Sequence, residues 1–286
     1  MKKISKRIKI LVAVSLALCA LVGYIIWGNT ALEVNTYTIA HKDIPSGFDG
    51  FKIALVSDLH DAELGENNSK IIEALKESEP NIIAITGDII DSNRTNIELS
   101  LNFAREAAKI APCFFVSGNH EARMKGYDEL ERGLKDVGVI ILDNEKLEIT
   151  RNGDKISLLG IKDVFFSKDR YDVDKSVIVE RNLNEIQFDD EEFTLLLAHR
   201  PEVFDVYVEK NIDLVLSGHL HGGQFRLPFV GGLYVPNQGF FPEIDAGLYT
   251  EGNTNMIISR GIGNSTFPFR FNNRPEVIIV ELEVQN

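Results

Sequence analysis

Five of the six histidines in this chain fall in four short clusters, each where an apolar run meets a turn. The clusters read Asp58-Leu59-His60, Gly118-Asn119-His120, His199 after Leu195-Leu196-Leu197-Ala198, and Gly218-His219-Leu220-His221. A fifth segment, Gly87-Asp88-Ile89-Ile90-Asp91, supplies carboxylates in the same kind of place. Imidazole and carboxylate groups gathered at such ends are candidate metal ligands.

The donors these segments offer are Asp58, His60, Asp88, Asn119, His199, His219 and His221, all oxygen or imidazole nitrogen with no thiolate. Seven donors exceed what one tetrahedral zinc takes and suit two ions of higher coordination that share a carboxylate. Two divalent ions about 3.5–4 Å apart are an established means of phosphoryl transfer, because they provide a hydroxide nucleophile and neutralise charge on the phosphorus oxygens. Each fragment alone has a plainer reading. Asp-x-His is an ordinary capping pair, Gly-Asp a turn, and Gly-Asn-His a turn with one left-handed residue. In Gly-His-x-His, alternate residues of an extended segment point to opposite faces and converge only if the chain bends. The joint occurrence in this order is what carries the metal reading.

The elements that must position these groups follow from the flanking pattern. Phe51–Val56, Ile82–Ile85 and Cys113–Val116 are short apolar runs that read as buried strands, each ending at one of the clusters. Between them the spacing predicts helices: one from Ser69, as N-cap, through about Ser78, and one over Ile97–Ile110. Tyr127–Val137 follows as a third, closed by Gly138. The second half is richer in strands: Val139–Leu142, Leu147–Thr150, Ile156–Ile161, Thr194–Leu197, Leu214–Leu216, Met256–Ser259 and Val277–Leu282, with a short helix over Pro201–Glu209. Residues 222–252, rich in Gly, Pro and aromatics, read as irregular loop. Alternation followed by serial strands predicts two packed sheets with helices outside, and open α/β sheets place ligands at the carboxyl ends of strands.

The N-terminus departs from this globular pattern. Residues 1–9 carry Lys2, Lys3, Lys6, Arg7 and Lys9 without an acid, and Ile10–Trp27 is uncharged and mostly apolar. The expected organisation is a basic cytoplasmic flank (1–9), a transmembrane anchor or export signal (10–27), a connector with a first strand (28–50), and a catalytic domain (51–286). Basic residues before an apolar span keep the N-terminus in the cytoplasm and place the remainder outside, so the expected location is the cell membrane, single-pass. Five of the 30 basic residues lie in that flank, leaving 25 against 43 acidic residues. A body this acidic is a poor general partner for nucleic acid, although bound cations reverse the local field for a phosphorylated substrate. Cys19 lies in the apolar segment and Cys113 in a strand, so neither a disulfide nor a Cys-rich zinc site is expected.

Taken together, Ser57-Asp58-Leu59-His60, Gly87-Asp88, Gly118-Asn119-His120-Glu121, His199 and Gly218-His219-Leu220-His221 resemble the calcineurin-like metallophosphoesterase superfamily over residues from about 50 to 282. Gly218–Gln224 and Arg260-Gly261-Ile262-Gly263 are similar to its bacterial branch with an N-terminal membrane anchor or export signal. The resemblance implies a four-layer α/β/β/α sandwich with a dimetal site at the edge of its two sheets. It implies that Asp58, His60 and His221 hold one ion, that Asn119, His199 and His219 hold the other, and that Asp88 bridges them. It gives His120 to the leaving oxygen rather than to metal, and Asp91 to the orientation of His120; the plainer reading of Asp91 is a turn or capping acid. Manganese, iron and zinc in the divalent state all suit this donor set. Two departures matter. Ser92 stands where the family's serine/threonine phosphatases carry Arg, and Asp91 where purple acid phosphatases carry a metal-binding Tyr. Protein dephosphorylation and a mixed-valence iron site are therefore disfavoured.

The reaction expected is in-line hydrolysis of a phosphomono- or phosphodiester by a metal-bridging hydroxide. Membrane attachment favours a lipid-linked ester; alternatives are a broad-specificity extracellular nucleotide phosphodiesterase and a non-catalytic metal-dependent binding protein. No protein partner is predicted. Phe225, Phe229, Phe240, Phe241, Phe267, Phe269 and Phe271 read either as an apolar collar for acyl chains or as packed cap residues. Arg226, Arg260, Arg270 and Arg274 read either as a phosphate clamp or as surface salt bridges.

Overall fold

The computed structural model describes residues 5–189, 191–236, 238–264 and 267–285. Helix α1 (Lys6–Thr30) runs through the apolar segment and beyond both of its ends, capped by the Ser5 hydroxyl on the Ile8 N–H. Its 25 residues span about 37 Å at the α-helical rise, and its apolar side chains stand exposed.

Strands β1 (Glu33–His41) and β2 (Phe51–Val56), helix α2 (Ser69–Ser78), β3 (Ile82–Thr86), α3 (Ile97–Ala107) and β4 (Cys113–Val116) follow. After them come α4 (Asn119–Arg123), α5 (Tyr127–Asp136) and β5 (Ile140–Ile141). The second half contains β6 (Glu145–Arg151), β7 (Asp154–Gly160), α6 (Lys175–Glu185), β8 (Thr194–Leu197), α7 (Phe204–Glu209) and β9 (Leu214–Ser217). Four two-residue strands come next: β10 (Arg226–Leu227), β11 (Gly231–Gly232), β12 (Tyr234–Val235) and β13 (Gly239–Phe240). The chain closes with β14 (Gly247–Glu251), β15 (Thr254–Ile258) and β16 (Glu276–Val284).

One six-stranded sheet has the order β1-β16-β2-β3-β4-β5 and the other β14-β15-β9-β8-β7-β6. In the first, β2 through β5 are parallel, and β16 pairs antiparallel to β2 and parallel to β1. In the second, β15, β9, β8 and β7 are parallel, with β14 and β6 antiparallel at the edges. Side-chain alternation along each strand feeds two separate cores. On β2, Ile53 and Leu55 join Phe48, Leu197 and Leu216 between the sheets, while Ala54 and Val56 pack outward with Ile71, Phe103 and Leu134 of the helices. On the other side, Ile178 and Leu183 of α6 and Tyr207 of α7 cover the second sheet. The result is an α/β/β/α sandwich with an apolar helix at its N-terminus.

Two sequence expectations are corrected, and one helix was not foreseen. Asn68, in the left-handed region, precedes α2, so Ser69 is its first residue rather than its cap. Residues 222–252 are not irregular throughout; β10–β11 and β12–β13 form small hairpins and β14 joins the second sheet. Helix α6 had no clear sequence signature: its apolar residues are outnumbered by charged and amide side chains, and only Ile178, Val179 and Leu183 are buried. Both cysteines are free, Cys19 exposed and Cys113 buried.

Candidate metal centre

The carboxyl ends of β2, β3, β4, β8 and β9 converge, and each delivers one of the five clusters. Backbone hydrogen bonds stitch the first two together: Asp58 N–H to Gly87 C=O (3.1 Å) and His60 N–H to Asp88 C=O (3.0 Å). The bends that bring alternate residues to one place are visible in the dihedrals. Asp58, His60, Asp88, His219 and His221 all have positive φ, from 47° to 71°. Non-glycine residues rarely adopt this region, and such strain gathers at functional sites. The flanking glycines permit the approach. Gly87 has φ +84°, and a side chain there would meet the Gly118 backbone and the His199 ring. A Cβ on Gly218 would overlap the Ser57 and Asp58 side chains.

Two nests of donors result. Asp58, His60 and His221 form the first, with His221 Nε2 3.3 Å and His60 Nε2 3.8 Å from Asp58 Oδ1. Asp88, His199 and His219 form the second, with His199 Nε2 3.3 Å from Asp88 Oδ2. The same Asp88 oxygen lies 3.7 Å from His60 Nε2, so it faces both nests. Every one of these groups except the partly exposed His219 is buried. The remaining carboxylate oxygens are held in place: Asp58 Oδ2 accepts from the Ser57 hydroxyl (2.6 Å) and His219 N–H (3.0 Å), and Asp88 Oδ1 accepts from His120 N–H (2.7 Å).

Asn119 and His219 meet through Arg200, a buried residue that sequence reasoning passed over. Its guanidinium lies 3.4 Å from Asn119 Oδ1 and 3.1 Å from His219 Nε2. Arg200 is held by Asp163 (2.7 Å) and Glu202 (2.9 Å). The available signal was its position directly after His199 at the end of an apolar strand, with Glu202 two residues on. Glu121 was also undervalued. Its buried carboxylate accepts the N–H groups of Gly118 and Asp88 at 2.7 Å and of Ile89 at 2.9 Å, clamping the Gly-Asp turn to the Gly-Asn-His turn. Burial and the nearby Asp88 push this carboxyl up to about 8, while the Gly118 and Asp88 N–H donors pull it down.

The donor set fits divalent cations. His60 Nε2 faces His221 Nε2 at 3.1 Å, and His199 Nε2 faces His219 Nδ1 at the same separation. Two imidazole nitrogens so placed share either a proton or a cation. The buried His60 Nδ1 has no hydrogen-bond partner. His199 Nδ1 lies 2.8 Å from the Thr86 carbonyl, which fixes its proton there and leaves Nε2 as the donor atom. Burial resists a charge on His199, yet Asp88 outweighs it and lifts the imidazole to about 10. Burial opposes ionisation of Asp88 as well, and His199 and His60 overcome it, so its carboxyl lies well below the usual range.

His120 stands beside the first nest, its ring 4.4 Å from that of His60. Asp91 Oδ1 lies 3.6 Å from His120 Nδ1 and accepts from Asn93 N–H at 2.9 Å, so this carboxylate is a turn acid as well as a charge beside the imidazole. Three of the four candidate clamp arginines are engaged elsewhere: Arg226 with Asp245 (3.1 Å), Arg260 with Glu276 (2.6 Å), and Arg274 with the Ala31 carbonyl (2.9 Å). Arg270 is buried and donates to the carbonyls of Arg260 and Gly263 and, at 3.3 Å, to His221 Nδ1.

An α/β/β/α sandwich whose strand ends gather histidine and aspartate into adjoining nests defines a metal-dependent phosphoester hydrolase. The chain belongs to the calcineurin-like phosphoesterase family, whose model matches residues 51–223. It is 30% identical over 260 residues to the uncharacterized metallophosphoesterase YkuE of Bacillus subtilis, covering 89% of this chain and 87% of that one. It is 31% identical over 244 residues to the phosphodiesterase YaeI of Escherichia coli, covering 81% and 82%. A transmembrane protein with a metallophosphoesterase domain from Danio rerio is 28% identical, covering 85% of this chain and 55% of that one. Among solved structures, TT1561 of Thermus thermophilus shares the fold with a TM-score of 0.52 at 13% identity, covering 74% of this chain and 90% of the other.

Proposed function

We propose that this chain is a membrane-anchored, dinuclear phosphodiesterase acting on a lipid-linked phosphate ester. The observation that carries the dinuclear reading is the Asp88 Oδ2 atom, which faces His60 of one nest and His199 of the other. Asp58, His60 and His221 would hold one ion, Asn119, His199 and His219 the second, and Asp88 both. Two divalent ions there, as manganese, iron or zinc, would acidify water and neutralise the phosphoryl oxygens. The protein's own groups do the rest. Asp58 and Asp88 keep their ionised form because histidines face them, Glu121 and the Ser57 hydroxyl fix the two aspartate turns, and the His120 ring donates a proton to the departing oxygen.

We assign the catalytic unit to residues 51–286, with β1 tying the connector to its sheet. The apolar helix would span the bilayer, and its basic flank would leave the catalytic unit on the extracytoplasmic side. The name of the Escherichia coli relative supports diester over monoester cleavage.

The test uses the full chain in lipid nanodiscs, loaded in turn with manganese, iron and zinc. It is assayed against bis-p-nitrophenyl phosphate, a lipid phosphodiester and a soluble nucleotide diester. Hydrolysis favouring the lipid, lost in Asp88→Asn together with metal content, is the expected result. Preference for the nucleotide would overturn the lipid assignment, and an Asp88→Asn variant that turns over normally would overturn the site.

A further inference from the structure

The loops that follow His221 form a cap whose phenylalanines divide into two sets. Phe225 and Phe271 are the internal set: Phe225 stacks edge-on with Phe267 and Phe269 at 5.4 Å, and Phe271 pairs with Phe225 through a backbone bridge. The outer set points into solvent. Phe229, at the tip of the β10–β11 hairpin, is fully exposed, as Val230 largely is; Phe240 and Phe241 are 69% and 61% exposed. Leu227 and Phe267 are also exposed, and the two hairpins are joined by the Leu233 N–H to the Phe225 carbonyl (2.7 Å) and the Phe241 N–H to the Leu233 carbonyl (3.0 Å). A large exposed apolar patch on a folded domain marks an interaction site.

What covers the patch is indicated by the element that continues it. Helix α1 docks on the same cap by its last turns. Tyr24 donates its hydroxyl to Asn272 Oδ1 (3.0 Å) and packs on Phe271, with ring centroids 5.8 Å apart. Asn29 pairs both ways with the Arg270 backbone, accepting from its N–H at 2.7 Å and donating to its C=O at 2.9 Å. The Arg274 guanidinium lies 4.9 Å from the centroid of the Trp27 ring. Tyr24 lies six residues before the helix end, so the Phe271–Asn272 turn sits about 9 Å back along the helix axis from its exit. Tyr and Trp at the end of an apolar helix occupy the headgroup layer. A cap fixed at their level meets the same layer.

We infer that the Leu227–Val230 tip of the first hairpin and the Phe240–Phe241 end of the second form a lipid-contacting surface that seats the cap in the bilayer beside α1. The inference rests on the membrane reading of α1 given above and adds where the catalytic unit sits. The coupling to the site is short: the Arg270 whose backbone Asn29 grips also reaches the His221 ring, and Asn273 donates to the His221 carbonyl at 2.8 Å. The nest formed by Asp58, His60 and His221 is thereby held at headgroup depth, where the phosphate of a lipid lies. The substrate class that follows is a phosphate ester carried by a membrane lipid.

The test labels the full chain, in a Cys19→Ser background, with an environment-sensitive fluorophore at Phe229→Cys, Phe240→Cys or Glu283→Cys; Cys113 is buried. Glu283 lies on β16 seven residues from Glu276, about 23 Å farther along the strand from the α1 end of the sheet. Vesicles of phosphatidylcholine and phosphatidylglycerol carry a nitroxide quencher at headgroup depth. The expected result is a blue shift and several-fold stronger quenching at positions 229 and 240 than at 283. Equal quenching at all three positions, in protein that floats with the vesicles, overturns the cap assignment and leaves the anchor standing. Protein that fails to float overturns both.

Discussion

The Nδ1 atom of His120 accepts a hydrogen bond from the backbone N–H of Ser92 at 3.1 Å. A nitrogen that accepts cannot also carry the proton, so the neutral ring is protonated at Nε2. The Ser92 hydroxyl lies 3.2 Å from the same nitrogen, but the amide can only donate, so the amide alone sets the tautomer that a proton donor requires. The expected outcome for His120→Asn is retained metal content with turnover lowered by about 10²–10⁴ on a substrate with an alkoxide leaving group. The loss on a p-nitrophenyl ester should be much smaller, because that leaving group departs without a proton. Rates on the two esters, with metal analysis of the same samples, check this. Equal losses on both would remove His120 from leaving-group protonation. Ser92→Ala keeps the amide and should change either rate by only a few-fold.

Glu121 serves stability rather than chemistry. Its carboxylate takes three well-formed N–H bonds from two different turns, and a fourth donor, Ile90 N–H, lies at 3.3 Å. In Glu121→Gln one acceptor oxygen becomes an amide NH2 that faces donors. Stranded buried donors cost roughly 1–3 kcal/mol each, so a loss of about 3 kcal/mol or more is expected in urea unfolding of metal-free protein on the alkaline side of the raised Glu121 pKa, where the carboxylate is ionised. A change under 1 kcal/mol would mean that water or a relaxed turn replaces the clamp.

The order of these segments was legible in the sequence because each strand is a short apolar run and four of the five ends are marked by glycine or serine. Ile53-Ala54-Leu55-Val56 before Ser57-Asp58, and Leu214-Val215-Leu216 before Ser217-Gly218, announce both a buried strand and the polar turn after it. What the sequence did not disclose depends on contacts across the fold. The left-handed backbone at Asp58, His60, Asp88, His219 and His221 is imposed by neighbouring turns, since aspartate and histidine do not prefer it strongly. Arg200 was passed over because its partner Asp163 lies 37 residues away. Both fates of the phenylalanines were open, with packing the plainer reading, for nothing next to Phe225 or Phe229 in the sequence says which ring is covered.

Glu202 is the second acidic partner of Arg200. Its Oε1 accepts from Arg200 and Lys175, each at 2.9 Å, whereas its buried Oε2 has no partner. Glu202 Oε1 also lies 3.8 Å from His219 Nε2. The nearer neighbour of that nitrogen is the Arg200 guanidinium at 3.1 Å, which can only donate, so Nε2 accepts and Glu202 acts on His219 by holding Arg200. Glu202→Gln should therefore loosen Arg200 and weaken one of two bound ions by about 10–100-fold, read by chelator competition, while the other ion binds as before. Two unchanged affinities would assign Glu202 to the Arg200 salt bridge alone.

Far from the metal nests, Asp213 gives the protein a pH-dependent weakness. Burial pushes its carboxyl up to about 6, against the pull of the Thr194 N–H it accepts at 2.7 Å and of the nearby His41. The folded state thus binds this proton more tightly than the unfolded chain does. Its contribution to stability is complete below about pH 4 and is lost as the pH rises through about 6. Asp213→Asn keeps an oxygen to accept the Thr194 N–H and removes the charge. The variant should melt a few degrees higher than the parent at pH 8, with the gap shrinking at pH 5, in thermal scans of the metal-free chain followed by circular dichroism. A gap that widens at the lower pH would show that the ionised carboxylate stabilises the fold through His41.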